Sequence, residues 1–324
     1  MADAAASMQE RTRTATAPAP GSSLAADRVE GLDVDGTVWY LMCVAAEHLD
    51  FALDSIKATG CMYPSAYTTV ARTALIGASN ALWVLTGSSR AERRIRALRV
   101  RANDVNDQIK AARELPILDD AQGETHAEYM SRLEKARANL ERVGTSLGST
   151  TPISSMGVNQ TQVVKFVADR YDDDELFAAG LKYLWRSGSA AAHAQFHYAM
   201  SRLDYGDLSD QGDGFRMARF GGDVDRDLVP SLAGPLLVLQ EAFKYYDWRH
   251  CKLSRVSLSQ GSGDCSWYHW CRNTFPPPVC EDRSCALLSL EHGSDHVPMN
   301  CRRQSRRHNH PDLGQCQTPL QSFP

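Results

Sequence analysis

The sequence predicts an all-α protein, and two observations carry that prediction. Apolar residues recur at three- and four-residue steps over most of the chain between residues 33 and 247, which is the period of a helix with one buried face. Capping motifs, glycines and prolines bound the periodic stretches. We therefore expect a helical bundle of six to seven helices at 33–248, between a disordered tail at 1–32 and a Cys-rich, disordered tail at 249–324.

The first two predicted helices are the most apolar. The first runs from Val34 to about Thr59, and Gly60 is a plausible stop. Pro64 stands where the first turn of the second helix begins, and that helix continues to Gly87. Because the second helix is apolar on several sides, we expect it to be the central and most buried one.

Two capping boxes introduce the next pair of helices. The motif Ser-x-x-Glu at 89–92 opens a polar helix that reaches residue 114, and Thr-x-x-Glu at 125–128 opens another that reaches residue 142. Only the short connector 115–124 separates the two helices. A short connection favours an antiparallel hairpin of helices.

Helical spacing returns in the second half of the chain. It resumes at Val163, and then again after an acidic run in which Asp172 or Asp173 is a candidate helix cap. A Gly- and Asp-rich segment follows the next helix, with a short hairpin predicted around 215–220. The last predicted helix covers about 230–246.

Composition excludes several classes of protein. Of the 324 residues 43% are hydrophobic and 23% are charged, and the net charge is -4, whereas a general binder of nucleic acid carries a basic excess. No apolar run reaches the ~18 residues of a membrane span, and the first residues lack the apolar core of a secretion signal. Only Cys43 and Cys61 precede residue 250, which suits a reducing compartment. We expect a cytoplasmic protein without membrane association.

The most compact set of chemically capable side chains lies in YLWRSGSAAAHAQFHYAM, residues 183–200. Arg186 and His193 are two turns apart on a continuous helix, so they project from nearly the same face, about 10 Å apart along the axis. His197 would fall one turn further along that face. A guanidinium neutralises phosphate oxygens and an imidazole moves a proton near neutral pH, so this pairing suits phosphodiester chemistry.

The segment from Arg186 to His193 resembles the R-x(4–6)-H motif of the HEPN (higher eukaryote and prokaryote nucleotide-binding) superfamily. Members are small helical bundles, and many are metal-independent endoribonucleases that act as dimers. The chain is also similar to uncharacterised bacterial helical proteins with a Leu-Trp-φ-Leu segment, then arginines, then a late Ser-x-x-x-His element. Those elements are found here at 82–85, 90–94 and 189–193.

The resemblance implies a function and a site. Arg186 and His193 would be catalytic at the interface of a homodimer, where they would promote attack of an RNA 2′-OH on its own phosphate. Ser187, Ser189 and His197 would contact the substrate, and no metal or other cofactor would be needed. The superfamily often has Asn, Asp or His after the arginine, where this chain has Ser187.

A structural interpretation of the same residues competes with the catalytic one. Arg186 would pair with the acidic run 172–175, Glu175 in particular, and His193 would be a hydrogen-bonded core histidine among alanines. The chain would then be a non-enzymatic helical interaction module. A stability loss on removing His193, without any RNA cleavage by the wild type, would favour that class.

A metal site is a further alternative for the two histidines. On one helix, His193 and His197 have the spacing of zinc or iron ligands. Partners from the first helix would be Glu47, His48, Asp50 or Asp54. No glutamate follows the first histidine and no Glu-x-x-His pattern is repeated, so we expect no metal here.

The run Arg90–Arg101 holds six arginines in twelve positions. It is either a phosphate-binding face or a solvated helix face paired with Glu92, Asp104 and the acidic positions of the following helix. Because the arginines point several ways around the helix, the second interpretation is favoured.

Seven of the nine cysteines lie after residue 250. A zinc module would present close cysteine pairs, and only Cys280 and Cys285 have that spacing. The lack of any helix or strand period favours a disordered tail that binds no metal specifically.

Overall fold

The computed structural model describes residues 1–114, 125–202, 209–212, 215–217 and 224–251. The helices in this part of the chain are α1 (Ala2–Thr12), α2 (Ser23–Asp27), α3 (Val34–Thr59), α4 (Pro64–Leu85), α5 (Arg90–Glu114), α6 (His126–Ser146), α7 (Gln160–Ala168), α8 (Glu175–Ala192), α9 (Phe196–Met200) and α10 (Val229–His250). Short turns of 3-10 helix at Ile153–Ser155 and Asp169–Tyr171 flank α7, and a π-helical turn at Val224–Leu228 precedes α10.

The all-α prediction is confirmed. The seven predicted helices correspond to α3, α4, α5, α6, α7, α8 and α10, whereas α1, α2 and α9 were not expected from the sequence. The short hairpin lies slightly earlier than predicted, with antiparallel strands β1 (Ser209–Gly212) and β2 (Phe215–Met217). The predicted connector at 115–124 lies outside the described residues.

Helix α4 is central, as predicted. It packs against α3, α7, α8 and α10, and Leu75, Ala78 and Leu82 are fully buried. The preceding helix ends at Gly60, whose φ of 62° is the left-handed conformation that glycine adopts at helix ends. The positions of α3, α7, α8 and α10 are therefore set by their packing against α4.

Helices α5 and α6 form the expected antiparallel pair. Arg113, near the end of α5, lies 3.5 Å from Glu134 in the first half of α6, while Leu98 packs near Gly144 at the other end. The capping box at Thr125 is complete. At the start of α5 the carboxylate of Glu92 accepts the Ser88 N–H, one residue before the predicted partner.

The prediction that residues 1–32 form a disordered tail is wrong. Leu24 of α2 is fully buried, and the buried Asp27 carboxylate accepts two hydrogen bonds from Arg93, at 2.6 Å from Nε and 2.7 Å from Nη2. Arg94 donates to the carbonyls of Ala26 and Asp27 and so satisfies the end of α2. The segment has few apolar residues of its own, but α3, α5 and α10 supply the partners that order it.

The arginine run is therefore only partly the solvated face that we predicted. Arg96 and Arg101 do pair with Glu92 and Asp104 along the helix. Arg93, in contrast, is buried and committed to Asp27. No phosphate-binding face is needed to account for these arginines.

Helix α10 continues to His250, beyond the predicted end near 246. The remainder of the Cys-rich segment, from residue 252 onward, lies outside the described residues, and so does the zinc alternative at Cys280 and Cys285. None of the helices that the structure describes has the length and apolar character required to cross a membrane.

Candidate functional site

Helix α8 carries most of the predicted site residues. Its cap is Asp174, whose carboxylate accepts the Phe177 N–H at 2.9 Å. We had expected Asp172 or Asp173 in that role, but the 3-10 turn at Asp169–Tyr171 occupies the preceding positions and moves the helix start toward the C-terminus. The cap is an aspartate, as predicted, and its negative charge interacts favourably with the positive end of the helix dipole.

The end of α8 separates the two histidines. The helix stops at Ala192, His193 is the C-cap, and Ala194 turns the chain with a φ of 50°. Arg186 and His193 therefore keep the two-turn relation on one face. His197 instead lies on α9, so the prediction that it continues the same face is wrong.

Helix α9 has its own packing on α4, which explains why the chain turns. The buried Tyr198 donates a hydrogen bond from its hydroxyl to Thr68 Oγ1 at 2.9 Å. Arg202 lies over the Tyr198 ring, 4.8 Å from its centroid, and 3.5 Å from the Asp227 carboxylate. Burial raises the pKa of Tyr198, so it remains a neutral donor. A buried tyrosine with a good hydrogen bond fixes α9 in a separate orientation.

This break also removes the geometry behind the metal alternative. Two imidazoles at four-residue spacing converge only on a continuous helix. Among the residues that the structure describes, no three His, Cys, Asp or Glu side chains come together as metal ligands do. His48, one of the suggested partners, lies within hydrogen-bond distance of the Val44 carbonyl, at 2.8 Å from Nδ1.

The exposure of Arg186 and His193 does not agree with the structural interpretation of these residues. Both residues are exposed, so His193 is not a core histidine. Within residues 1–114, 125–202 and 224–251, no side-chain hydrogen bond or ion pair involves either residue, and Arg186 does not pair with Glu175. Nothing within the described fold accounts for the presence of this arginine and this histidine.

The serines of the motif are placed differently from one another. Ser187 is buried and donates weakly, at 3.4 Å, to the Leu184 carbonyl of its own helix. Its hydroxyl is therefore not presented to a substrate beside Arg186, contrary to the expected contact. Ser189 is half-buried and nearer to the exposed face.

Arg72 is a site residue that sequence reasoning missed. Its guanidinium lies 4.3 Å from the centroid of the Trp185 ring, and its buried Nε has no hydrogen-bond partner in the described part of the chain. Burial lowers the pKa of Arg72, and no carboxylate offsets that effect. The available signal was that Arg72 is the one charged residue in the 22 residues of α4. A lone charge in a central helix is costly unless it has a partner.

An apolar surface adjoins Arg186 on α8. We call it the outer face of α8 and define it by Leu176, Ala179, Gly180, Tyr183 and Arg186, at helical i, i+3, i+4, i+7 and i+10 spacing. Leu176 is 84% exposed and Tyr183 is 63% exposed. A Cβ added at Gly180 would meet no atom within 4 Å. A large apolar side chain exposed beside small residues is typical of a contact surface.

The charges on this helix are unevenly distributed. Asp172 and Asp173 just before the helix and Glu175 in its first turn are exposed, and Lys182 and Arg186 follow toward the middle of the helix. Lys182 reaches back to Asp169 at 2.8 Å. The α8 region is therefore acidic at its start and basic further along, a pattern that is complementary to an antiparallel copy of the helix.

In chemical terms, the end of α8 offers a cation without an oriented base. Arg186 provides positive charge and His193 provides an imidazole at its exposed end, whereas Arg72 stacks on Trp185 on the side of α8 that faces α4. A catalytic histidine usually has its second nitrogen held by a carboxylate or carbonyl, and no such group binds His193 among the described residues. Comparison with family models, curated proteins and solved structures finds no match to this chain.

Proposed function

We propose that this protein is a dimeric, HEPN-like RNA-binding protein that cleaves RNA without a metal, with Arg186 and His193 as the reacting pair. One observation carries the proposal. Both side chains are exposed on the same face of α8, and neither has a partner in the described part of the chain. A cation and a titratable imidazole with no role in the fold are available for a phosphate.

The chemistry follows from the two side chains. His193 takes the proton from an RNA 2′-OH as that oxygen bonds to the adjacent phosphorus, and the bond from phosphorus to the 5′ oxygen breaks. The leaving 5′ oxygen takes a proton from water and His193 returns its proton to the solvent, which leaves a 2′,3′-cyclic phosphate and a 5′-OH. Arg186 offsets the negative charge that develops on the phosphate oxygens.

Dimerisation is the second part of the proposal, and the outer face of α8 supports it. When two copies of α8 cross antiparallel near Ala179 and Gly180, Leu176 of one copy lies against Tyr183 of the other. The same crossing brings Arg186 toward the acidic start of the opposite helix. Such a contact is self-complementary, as a two-fold interface requires.

Gly180 strengthens this argument. A glycine inside a helix costs about 0.5–1 kcal/mol relative to alanine. Nothing in the described fold requires it, because a Cβ there would meet only open space. Close approach of a second helix backbone would account for it.

The cleavage test uses the full chain on a mixed single-stranded RNA in the presence of EDTA. We expect cleavage by the wild type, and a loss of about 10²–10⁴-fold in His193→Ala, the size of effect that general acid–base catalysis supplies. Arg186→Ala should lose activity comparably. His197→Ala, on the separate helix α9, and Arg99→Ala, on the exposed side of α5, are matched controls that should retain most of it.

A non-enzymatic interaction module is the second candidate, because no group in the described residues orients His193. In that case the outer face of α8 binds a protein partner and Arg186 contributes charge to the contact. A wild type that cleaves no RNA under any condition, while still associating through α8, would decide for this candidate. Unchanged cleavage in His193→Ala would exclude His193 as the base.

A further inference from the structure

A cleft of about 900 Å³ lies among the polypeptide preceding α3, α3 itself, α5 and the start of α7, and it includes none of the α8 residues discussed above. Asn80 of the central helix α4 reaches it from below, and Gln160 reaches it from the first turn of α7. Three carboxylates and the ring of Tyr40 also line it. The carboxylates are those of Asp33, Asp104 and Asp107.

Asn80 is the informative residue in this cleft. It is 4% exposed, and its Oδ1 atom is buried without a hydrogen-bond partner in the described part of the chain. An unsatisfied buried amide oxygen costs about 1–3 kcal/mol, and an apolar residue of similar shape would avoid that cost. Ala78, Ala81 and Leu82 are apolar, and the buried polar residues of this stretch of α4 are Asn80 and the adjacent Ser79, of which Asn80 lines the cleft.

A second amide repeats the observation. The Oε1 atom of Gln160 is also buried and has no partner among the residues that the structure describes. Its own N-terminal neighbour, Asn159, is satisfied, since it caps α7 by accepting the Gln162 N–H at 3.2 Å. Two residues that line the cleft therefore carry acceptor oxygens without an N–H or O–H donor among the described residues.

The guanidiniums of Arg28 and Arg101 also line the cleft, but each is paired with a carboxylate. Asp104 and Asp107 each have a cation from α5, at 3.1 Å from Arg101 and 2.9 Å from Lys110. Asp33 is less well compensated. Its nearest guanidinium, that of Arg28, lies 3.6 Å away.

Arg28 is largely committed to another carboxylate. It donates its two short hydrogen bonds, at 2.8 and 2.7 Å, to Asp35. A hydrogen bond with Asp35 raises the pKa of Asp33, and partial desolvation of its carboxylate adds to the shift. Tyr40, with 66% of its surface exposed, presents an aromatic ring that a cation can cover.

We propose that this cleft binds a small organic cation that carries several N–H donors, of the amine or guanidine class. The amide oxygens of Asn80 and Gln160 accept its N–H groups, and Asp33 offsets its charge. The ring of Tyr40 covers its outer side. A phosphate or carboxylate ligand would meet two unpaired acceptors and a carboxylate, and is disfavoured.

The test is isothermal titration of the full-length protein with agmatine, which carries both an amine and a guanidine. We expect saturable binding to the wild type that weakens at least about tenfold in Asn80→Leu, a change of about 1.4 kcal/mol. Inorganic phosphate, titrated in the same way, should give no saturable signal. Asp33→Asn is the second variant, because its exposed side chain is not needed for folding.

Asp54→Asn is the matched control, an exposed carboxylate on α3 that does not line the cleft. It should bind agmatine as the wild type does. Absence of agmatine binding up to millimolar concentrations would overturn the proposal. Equal binding by the wild type, Asn80→Leu and Asp33→Asn would overturn it too, since it would show only general attraction to an acidic surface.

Discussion

Asp27 and Arg93 form a buried ion pair that joins α2 to α5. Removal of one partner leaves the other charge buried and unpaired, so we expect Asp27→Ala to lower the free energy of unfolding by about 3–5 kcal/mol. Urea denaturation followed by circular dichroism measures this loss. Asp169→Ala, which breaks the exposed pair with Lys182, is the control and should cost less than about 1 kcal/mol. Equal effects of the two substitutions would contradict the packing of the N-terminal segment.

His250 gives a prediction on pH dependence. Burial lowers its pKa below the ordinary value of 6.5, although Asp247 and Asp35 oppose the shift and Arg11 adds to it. The unfolded chain therefore binds a proton more readily than the folded one as the pH falls below about 7, and folding loses stability there. His250→Gln lacks this contribution.

The measurement is the difference in free energy of unfolding between the wild type and His250→Gln across the pH range from about 8 to 5. We expect the wild type to lose stability relative to the variant as the pH falls. The raised pKa of Asp247, which burial causes, acts in the opposite direction but is present in both proteins. A constant difference would show that His250 titrates normally in the folded state.

At the scale of one residue, the sequence indicates the chemical type of a side chain but not the residues that pack against it. It singled out Arg186 and His193, which are both exposed, and their role in a site stays a prediction. The sequence did not indicate a role for Arg72, because the contact that distinguishes this residue is with Trp185 of another helix. Asp27 was assigned to a disordered tail for the same reason, since its partner is 66 residues away.

The two glycines of α8 separate a packing role from an interface role. Gly188 lies against α4, where an added Cβ would come within 2.6 Å of the Arg72 Cβ, so Gly188→Ala should destabilise the fold by about 1–3 kcal/mol. Gly180→Ala should instead raise the stability of the single chain by about 0.5–1 kcal/mol, because nothing occupies that space.

The same Gly180→Ala variant should weaken self-association, since the added methyl group holds the two helices apart. Thermal unfolding at low and high protein concentration distinguishes the two effects. A variant that is less stable as a single chain would show that Gly180 serves the fold and not an interface.

Among the helices, the shortest ones were the hardest to predict from the sequence. Helix α5 presents many turns with one buried face, so the period alone identifies it, whereas the long apolar sequence of α4 identifies a helix buried on several sides. Helices α2 and α9 have five residues each and no period to detect. They form because Leu24 and Tyr198 find buried places against other helices, which is tertiary information.

At the scale of the whole molecule, the central claim is that two copies associate through the outer face of α8. Leu176→Asp tests that face without disturbing the core, because this side chain is 84% exposed. The control is Phe51→Asp, another exposed apolar residue, which lies on α3 and not on α8.

The most direct measurement is the molar mass in solution, by light scattering after size-exclusion chromatography. We expect about twice the chain mass of 35.8 kDa for the wild type and Phe51→Asp, and the mass of one chain for Leu176→Asp. A wild type with the mass of one chain at every concentration tested, or a Leu176→Asp variant that still doubles its mass, would contradict the account.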